Sequence, residues 1–274
     1  MLTEAQVRAY LQRLGCSNHI LDQGLGRTAS KELFFALHLA HLHTIPFENL
    51  DIALGKKISL HADDVFRKLI TKRRGGFCYE LNYAFFLLLT SLGFGCRLLS
   101  ARVYNGTDYG LPFDHLLLSV GCEEALWIAD VGFGDCFRTP LRLNAEGTEE
   151  LGVTYRVSTA DDAVYVLERK STMQDWQAQY QFTLAGHEIG DFAEMCTHQQ
   201  TSESSHFTKK SICSMATKAG RTSLSNDALI ITEHGVKRSH QIADADDYIR
   251  TLQEVFQIAL PEDVMAEKLF KLNC

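Results

Sequence analysis

Proline occurs only four times in 274 residues and no low-complexity tract is present, which excludes collagen-like and extensively disordered architectures. Positive charge is also in deficit, with 27 Lys and Arg against 34 Asp and Glu and a formal net charge of −7. Neutralising a phosphate backbone needs a clustered excess of Lys and Arg, so nucleic acid is not an expected partner. The apolar run 84–89 falls far short of the roughly 20 residues that span a bilayer, and no membrane partner is expected. The opening MLTEAQVRAY lacks the basic-then-apolar pattern of a secretory signal. Eight cysteines, at 16, 78, 96, 122, 136, 196, 213 and 274, are scattered singly without a CxxC pair. Reduced thiols and a cytoplasmic setting are therefore expected, with no disulfide framework.

What is present is enough apolar material, 46 % of the chain, for a sizeable core. Thr3 and Gln6 make a capping-box pattern ahead of Val7, Tyr10, Leu11 and Leu14, with Gly15 as the stop. A second helix is predicted from a Ser30 cap to just before Pro46, and a third from Asp63 or Asp64 with Val65, Phe66, Leu69 and Ile70 inward. A fourth begins at Cys78, carries Leu81, Ala84, Phe85, Leu88, Leu89 and Leu92 on one face, and ends at Gly93.

From Cys96 the period shortens to that of strands: 97–104, 114–120, 125–132, 154–158, 163–169 and 176–184, an antiparallel sheet or barrel. Shorter strands follow at 221–225, 228–233 and 236–242. A helix then opens at Asp244 or Asp246, and Pro261 suits the first turn of a last one.

The segment Arg73-Arg74-Gly75-Gly76-Phe77-Cys78-Tyr79-Glu80-Leu81-Asn82 carries the strongest chemical signal. A cysteine at a helix N-terminus beside two arginines has a dipole, cationic neighbours and free N–H groups to favour its thiolate. Such a nucleophile needs a histidine base, itself oriented by a carboxylate, from elsewhere in the chain. His115 opens one predicted strand and Asp130 ends the next. A two-residue turn at Cys122-Glu123 would pair positions summing to 245, setting His115 directly opposite Asp130. Asp130 lies within an apolar strand, where its charge requires a partner.

His38 and His41 have i,i+3 spacing on the second helix, but no cysteine or paired carboxylate completes four ligands, and no metal site is expected. Neither Gly132-Phe133-Gly134 nor Gly75-Gly76 fits a phosphate-binding glycine loop. Gly132 and Gly134 allow either a close backbone approach to a ligand or a simple bulge. Glu48, in the apolar stretch Ile45-Pro46-Phe47-Glu48-Asn49-Leu50, calls for Arg73 or Arg74 as its partner.

These motifs, in this order, resemble the arylamine N-acetyltransferase family. The resemblance rests on IPFENLD (45–51), RGGFCYELN (74–82), DHLLLSV (114–120), ADVGFG (129–134), PLRL (140–143), Asp191-Phe192 and TSESSHF (201–207), nearly the whole chain. It implies an α+β fold in three parts: a helical bundle at 1–93, a β-barrel at 94–205 and an α/β lid at 206–274. It implies a catalytic triad of Cys78, His115 and Asp130, and ping-pong transfer from acetyl-CoA to an arylamine, arylhydrazine or hydrazide, with no tightly bound cofactor. By the same resemblance His198, Ser204 and Leu111 fall at CoA-contacting positions, and Asp114, His115 and Phe133 line the acceptor pocket. Glu203 stands where a proline is common. Cysteine hydrolases and transglutaminase-like enzymes use the same triad chemistry and are the alternative reading. A non-catalytic binding protein is the third, against which the intact triad argues.

Overall fold

The computed structural model describes residues 1–16, 29–171, 174–225, 227–261 and 266–271. Helix α1 (Glu4–Arg13) has both halves of the Thr3/Gln6 capping box, and Gly15 follows at φ +72°. The hydroxyl of Ser30 caps α2 (Lys31–Thr44) by accepting from Leu33 N–H. Strand β1 (Phe47–Glu48) and the short α3 (Leu50–Ala53) come next. Helix α4 (Ala62–Phe66) passes into a π-helical turn at Arg67–Thr71. Helix α5 (Cys78–Ser91) is buried nearly all round, which suits the central helix of a core rather than an amphipathic surface one.

Strands β2 (Gly95–Val103), β3 (His115–Cys122), β4 (Ala125–Ala129), β5 (Leu141–Arg142), β6 (Thr148–Glu150), β7 (Val153–Asp161), β8 (Val164–Ser171) and β9 (Gln177–Phe182) make one antiparallel sheet. Its order is β5-β4-β3-β2-β9-β8-β7-β6. A parallel bridge from Leu143 to Val157, with Asn144 N–H donating to Val157 C=O, draws the two ends together into a nearly closed barrel. Strand β3 alternates faces: Leu116, Leu118 and Val120 join the helical core, while Leu117 joins the barrel interior.

The third layer is a five-stranded sheet, β1-β10-β11-β12-β13, from β10 (Ile212–Thr217), β11 (Gly220–Ser225), β12 (Ala228–Glu233) and β13 (Val236–Gln241). Its first strand is borrowed from the helical region, with Phe47 opposite Ser214 and Glu48 opposite Cys213. Helix α6 (Ala193–Thr201) and the short α7 (His206–Lys209) precede it. Helix α8 (Ala245–Phe256), capped by Asp244, and α9 (Ala266–Lys271) follow. Strand β10 was not expected from the sequence, and the predicted role of Pro261 in the first turn of the last helix concerns residues outside those described. Among the described residues no helix is long and apolar enough to cross a membrane.

Candidate active site

The glycines before Cys78 are there for space. The loop pairs with β1: Glu48 N–H donates to Gly76 C=O at 2.8 Å and Gly76 N–H to Pro46 C=O at 3.3 Å. A Cβ on Gly75 would lie 2.1 Å from the Pro46 oxygen, so no larger residue fits there. Arg74 then reaches back under the loop to Glu48, donating Nε at 3.0 Å and Nη2 at 2.8 Å, and also to Asp51 at 3.1 Å. Lys68 donates to both Glu80 oxygens at 2.9 and 3.0 Å and meets Asp51 at 2.9 Å. Glu80 in turn accepts from Phe77 N–H at 3.2 Å, holding the start of α5.

This corrects the sequence argument for a thiolate at Cys78. Arg74 is committed to Glu48 and Asp51, and Arg73 is exposed at φ 51°. The thiol is only 4 % exposed, and burial, followed by the Asp130 charge, pushes it well above the usual thiol range. The Leu116 N–H hydrogen bond works in the opposite direction. Ionisation therefore depends on a proton acceptor beside the sulfur.

His115 lines the same cavity as Cys78. Its Nε2 lies 2.7 Å from Asp130 Oδ2. A carboxylate only accepts, so Nε2 carries the hydrogen and Nδ1 keeps its lone pair for base work. Asp130 is fully buried and also accepts from Asn82 Nδ2 at 2.9 Å, Gly132 N–H at 2.9 Å and Tyr180 Oη at 3.0 Å. Burial works to raise its carboxyl, but the His115 imidazole and the hydrogen bonds from His115, Asn82 and Gly132 hold it below the usual carboxylate value. Behind it, His38 Nε2 accepts from Asp130 N–H at 3.3 Å and Nδ1 donates to Arg138 C=O at 2.8 Å. Burial pushes His38 down to about 4, so it stays neutral in these roles.

The hairpin register differs from the predicted one. The turn is Glu123-Glu124, both residues at positive φ, and Cys122 faces Ala125, so paired positions sum to 247. Two glutamates carry the twist that Asn-Gly usually supplies, which left no local signal for the turn's place. Continuing the ladder past Ala129 puts Asp130 opposite Leu117, on the same face as His115 and diagonal to it. A side-chain bond spans that offset.

Cys78, Asp114, His115 and Phe133 line one cavity of about 410 Å³, walled elsewhere by Phe47, Val103, Phe207 and Ile212. The Phe133 ring stands edge-on to His115 at 5.0 Å and to Tyr180 at 4.9 Å. Asp114 accepts from Gln199 at 2.7 Å. His198, Ser204 and Leu111 are not in the cavity wall: Ser204 and Leu111 are exposed, and the His198–Ser204 contact is 3.5 Å. Asn82, Tyr180, His38 and Arg221 escaped the sequence reading as site residues. Asn82 alone had a signal, inside the cysteine motif. A larger hollow of about 740 Å³ lies against the Lys68, Arg74 and Glu80 cluster, and no cysteine or histidine lines it.

A buried cysteine at a helix start, an imidazole anchored through Nε2 on a buried carboxylate and an apolar chamber are the parts that thiol-dependent acyl transfer requires. The chain belongs to the N-acetyltransferase family, whose model matches residues 32–265, and is an acyltransferase of the arylamine N-acetyltransferase type. It is 34 % identical to the arylamine N-acetyltransferase of Escherichia coli over 233 residues, 83 % of this chain and 82 % of that one. The solved arylamine N-acetyltransferase from Salmonella typhimurium superposes with a TM-score of 0.87 at 28 % identity, covering 99 % of this chain and 98 % of that one. The Mycobacterium marinum enzyme, solved in complex with CoA, gives 0.84 at 25 % identity with 97 % of each chain covered.

Proposed function

We propose that this chain acetylates arylamines, arylhydrazines or hydrazides from acetyl-CoA through an acetyl-Cys78 intermediate, working in the cytoplasm. In the first half-reaction His115 Nδ1 takes the Cys78 proton and the thiolate attacks the thioester carbonyl. The C–S bond to CoA breaks, and the departing thiolate takes the proton from the imidazolium. In the second, the amine nitrogen attacks acetyl-Cys78 and His115 accepts its proton. Collapse releases the N-acetyl product and the Cys78 thiolate, which takes the proton back from the imidazolium.

Asp130 acts by fixing the tautomer and stabilising the imidazolium, as its 2.7 Å bond to Nε2 allows. The first-turn N–H groups of α5 have no i−4 acceptor, and that of Cys78 is available to an oxyanion formed on its own side chain. Phe47, Phe133 and Phe207 make the chamber better suited to an aromatic amine than to water, which favours transfer over hydrolysis. A cytoplasmic setting accords with the seven described cysteines, all free thiols. The parts 1–93, 94–205 and 206–274 supply the nucleophile, the His-Asp pair and the cover respectively.

The observation that carries this reading is that His115, bonded to the buried Asp130, lines one cavity with Cys78. Intact-protein mass spectrometry after mixing with acetyl-CoA should show one added acetyl group, discharged by an aromatic hydrazine. An unmodified protein, or a Cys78→Ala variant that still gains the acetyl group, would refute the mechanism.

A further inference from the structure

The hollow of about 740 Å³ beside the cysteine loop shares no lining residue with the Cys78 cavity. Six cations line it: Lys56 and Lys57 after α3, Arg67, Lys68 and Lys72 along and just after the π-helical turn, and Arg74 in the cysteine loop. Its size falls within the range of small-molecule sites.

The carboxylates of the wall are already committed. Asp51 meets Lys68 at 2.9 Å and Arg74 at 3.1 Å, Glu80 meets Lys68 at 2.9 Å, and Asp64 is paired with Arg67. Counting also the buried Glu48, which accepts from Arg74, four carboxylates stand against six cations. Lys56, Lys57 and Lys72 are exposed and have no ion pair among the described residues. In a chain with a net charge of −7, three unpaired ammonium groups from two separate segments meet at one concave surface.

Arg74 gives that surface a fixed anchor. Its side chain is 7 % exposed, and Nε and Nη2 are spent on Glu48 and Asp51. Nη1 has no partner among the described residues, yet it is not among the buried unpartnered atoms, so it stays accessible. A guanidinium gripped along one edge keeps its remaining N–H groups in a set direction, which suits them to an oxyanion.

We propose that this hollow binds a free anion carrying two linked phosphates, at a site separate from those of donor and acceptor. Arg74 Nη1 holds one phosphate, and Lys56, Lys57 and Lys72 engage the rest. A single phosphate group carries about 1.5–2 negative charges at neutral pH, too few to engage three ammonium groups and a guanidinium edge together.

The test titrates pyrophosphate into the metal-free full chain by calorimetry at fixed ionic strength. Wild type should bind one equivalent with a Kd of about 1 mM or tighter. Lys57→Gln/Lys72→Gln should weaken binding about tenfold or more, the worth of a hydrogen bond between charged groups. Lys56→Gln/Lys72→Gln should do the same, which keeps the proposal testable if one variant does not fold. Both variants should keep the wild-type KM for acetyl-CoA. Absence of binding in wild type, or a Kd unmoved by both variants, overturns the proposal. So does sulfate binding as tightly as pyrophosphate, which would reduce the site to a general screening of charge. A raised acetyl-CoA KM in these variants assigns the cations to the phosphates of the donor and likewise overturns it. Glu262 and Asp263, next in the chain after Pro261 on the rim, lie outside the described residues. Binding seen only in Glu262→Gln/Asp263→Asn would show that the chain's own carboxylates fill the hollow, and the proposal would fall.

Discussion

Tyr180 donates its phenolic hydrogen to the same oxygen of Asp130, Oδ2, that receives His115 Nε2, at 3.0 and 2.7 Å. Two donors on one oxygen share its electron density, so the phenol sets how strongly Asp130 holds the imidazolium. Tyr180→Phe leaves Asp130 with Asn82, Gly132 and His115, and should lower stability by about 1–3 kcal/mol. Less stabilised by donors, the carboxylate should hold the His115 proton more tightly. The acidic limb of the pH–rate profile for acetylation should therefore move upward. A profile unchanged from wild type would show that the phenol serves packing alone.

Gly132 lies over the nucleophile. A Cβ there would stand 2.8 Å from Cys78 Cα, 3.0 Å from its carbonyl oxygen and 2.7 Å from Asn82 Nδ2. Gly132→Ala must displace either the start of α5 or the amide that bridges Leu116 C=O and Asp130. Overpacking of this kind costs about 1–3 kcal/mol. The variant should melt several degrees lower and acetylate at least tenfold more slowly, the cost of a displaced nucleophile being larger than the cost in stability. Thermal unfolding and single-turnover acetylation from one preparation check both.

The thiol offers a direct reading of the His115 role. Burial and the Asp130 charge push Cys78 well above the usual thiol range, so in the proposed mechanism reactivity at neutral pH comes from the imidazole. His115→Gln should slow alkylation of Cys78 by iodoacetamide at pH 7 by about two orders of magnitude or more. It should also shift the rise in rate to the alkaline side of an ordinary thiol. Equal alkylation rates for variant and wild type at pH 7 would remove His115 from the role of base.

Much of this was legible in the chain, for reasons particular residues make clear. Cys78, His115 and Asp130 stand out because each breaks a local rule: a cysteine after two glycines, a histidine opening an apolar strand, an aspartate closing one. The common face of His115 and Asp130 survived a misplaced turn, because shifting an antiparallel register by two preserves the parity of side chains. The arginine pair was misread, since its two members have opposite fates. Arg74 is buried on Glu48 and Asp51 while Arg73 is exposed, and only the tertiary position of β1 decides between them. Tyr180 and His38 were illegible because their contacts, 50 and 92 positions away from Asp130, leave no local pattern.

The buried ion cluster under the cysteine loop gives a pH dependence of stability that one substitution isolates. Glu80 is almost fully buried, and although Lys68 lowers it, burial and the neighbouring Glu48 raise its carboxyl to about 7. The folded protein therefore binds a proton between the ordinary glutamate value, near 4.3, and about 7 that the unfolded chain does not. Its contribution to stability is fully present below that window and is lost as pH rises through it, with a slope no steeper than about 1.4 kcal/mol per pH unit. His38 and His41, pushed down by burial to about 4 and about 3, act with the opposite sign: the unfolded chain binds their protons first, so stability falls as pH drops below about 6.5. These opposed effects mask each other in wild type alone. Urea unfolding of wild type and Glu80→Gln across pH 4.5–7.5 separates them, since both proteins keep the histidines. The stability of wild type minus that of the variant should decline steadily with rising pH. A flat difference would show that Glu80 is ionised throughout, its charge carried by Lys68.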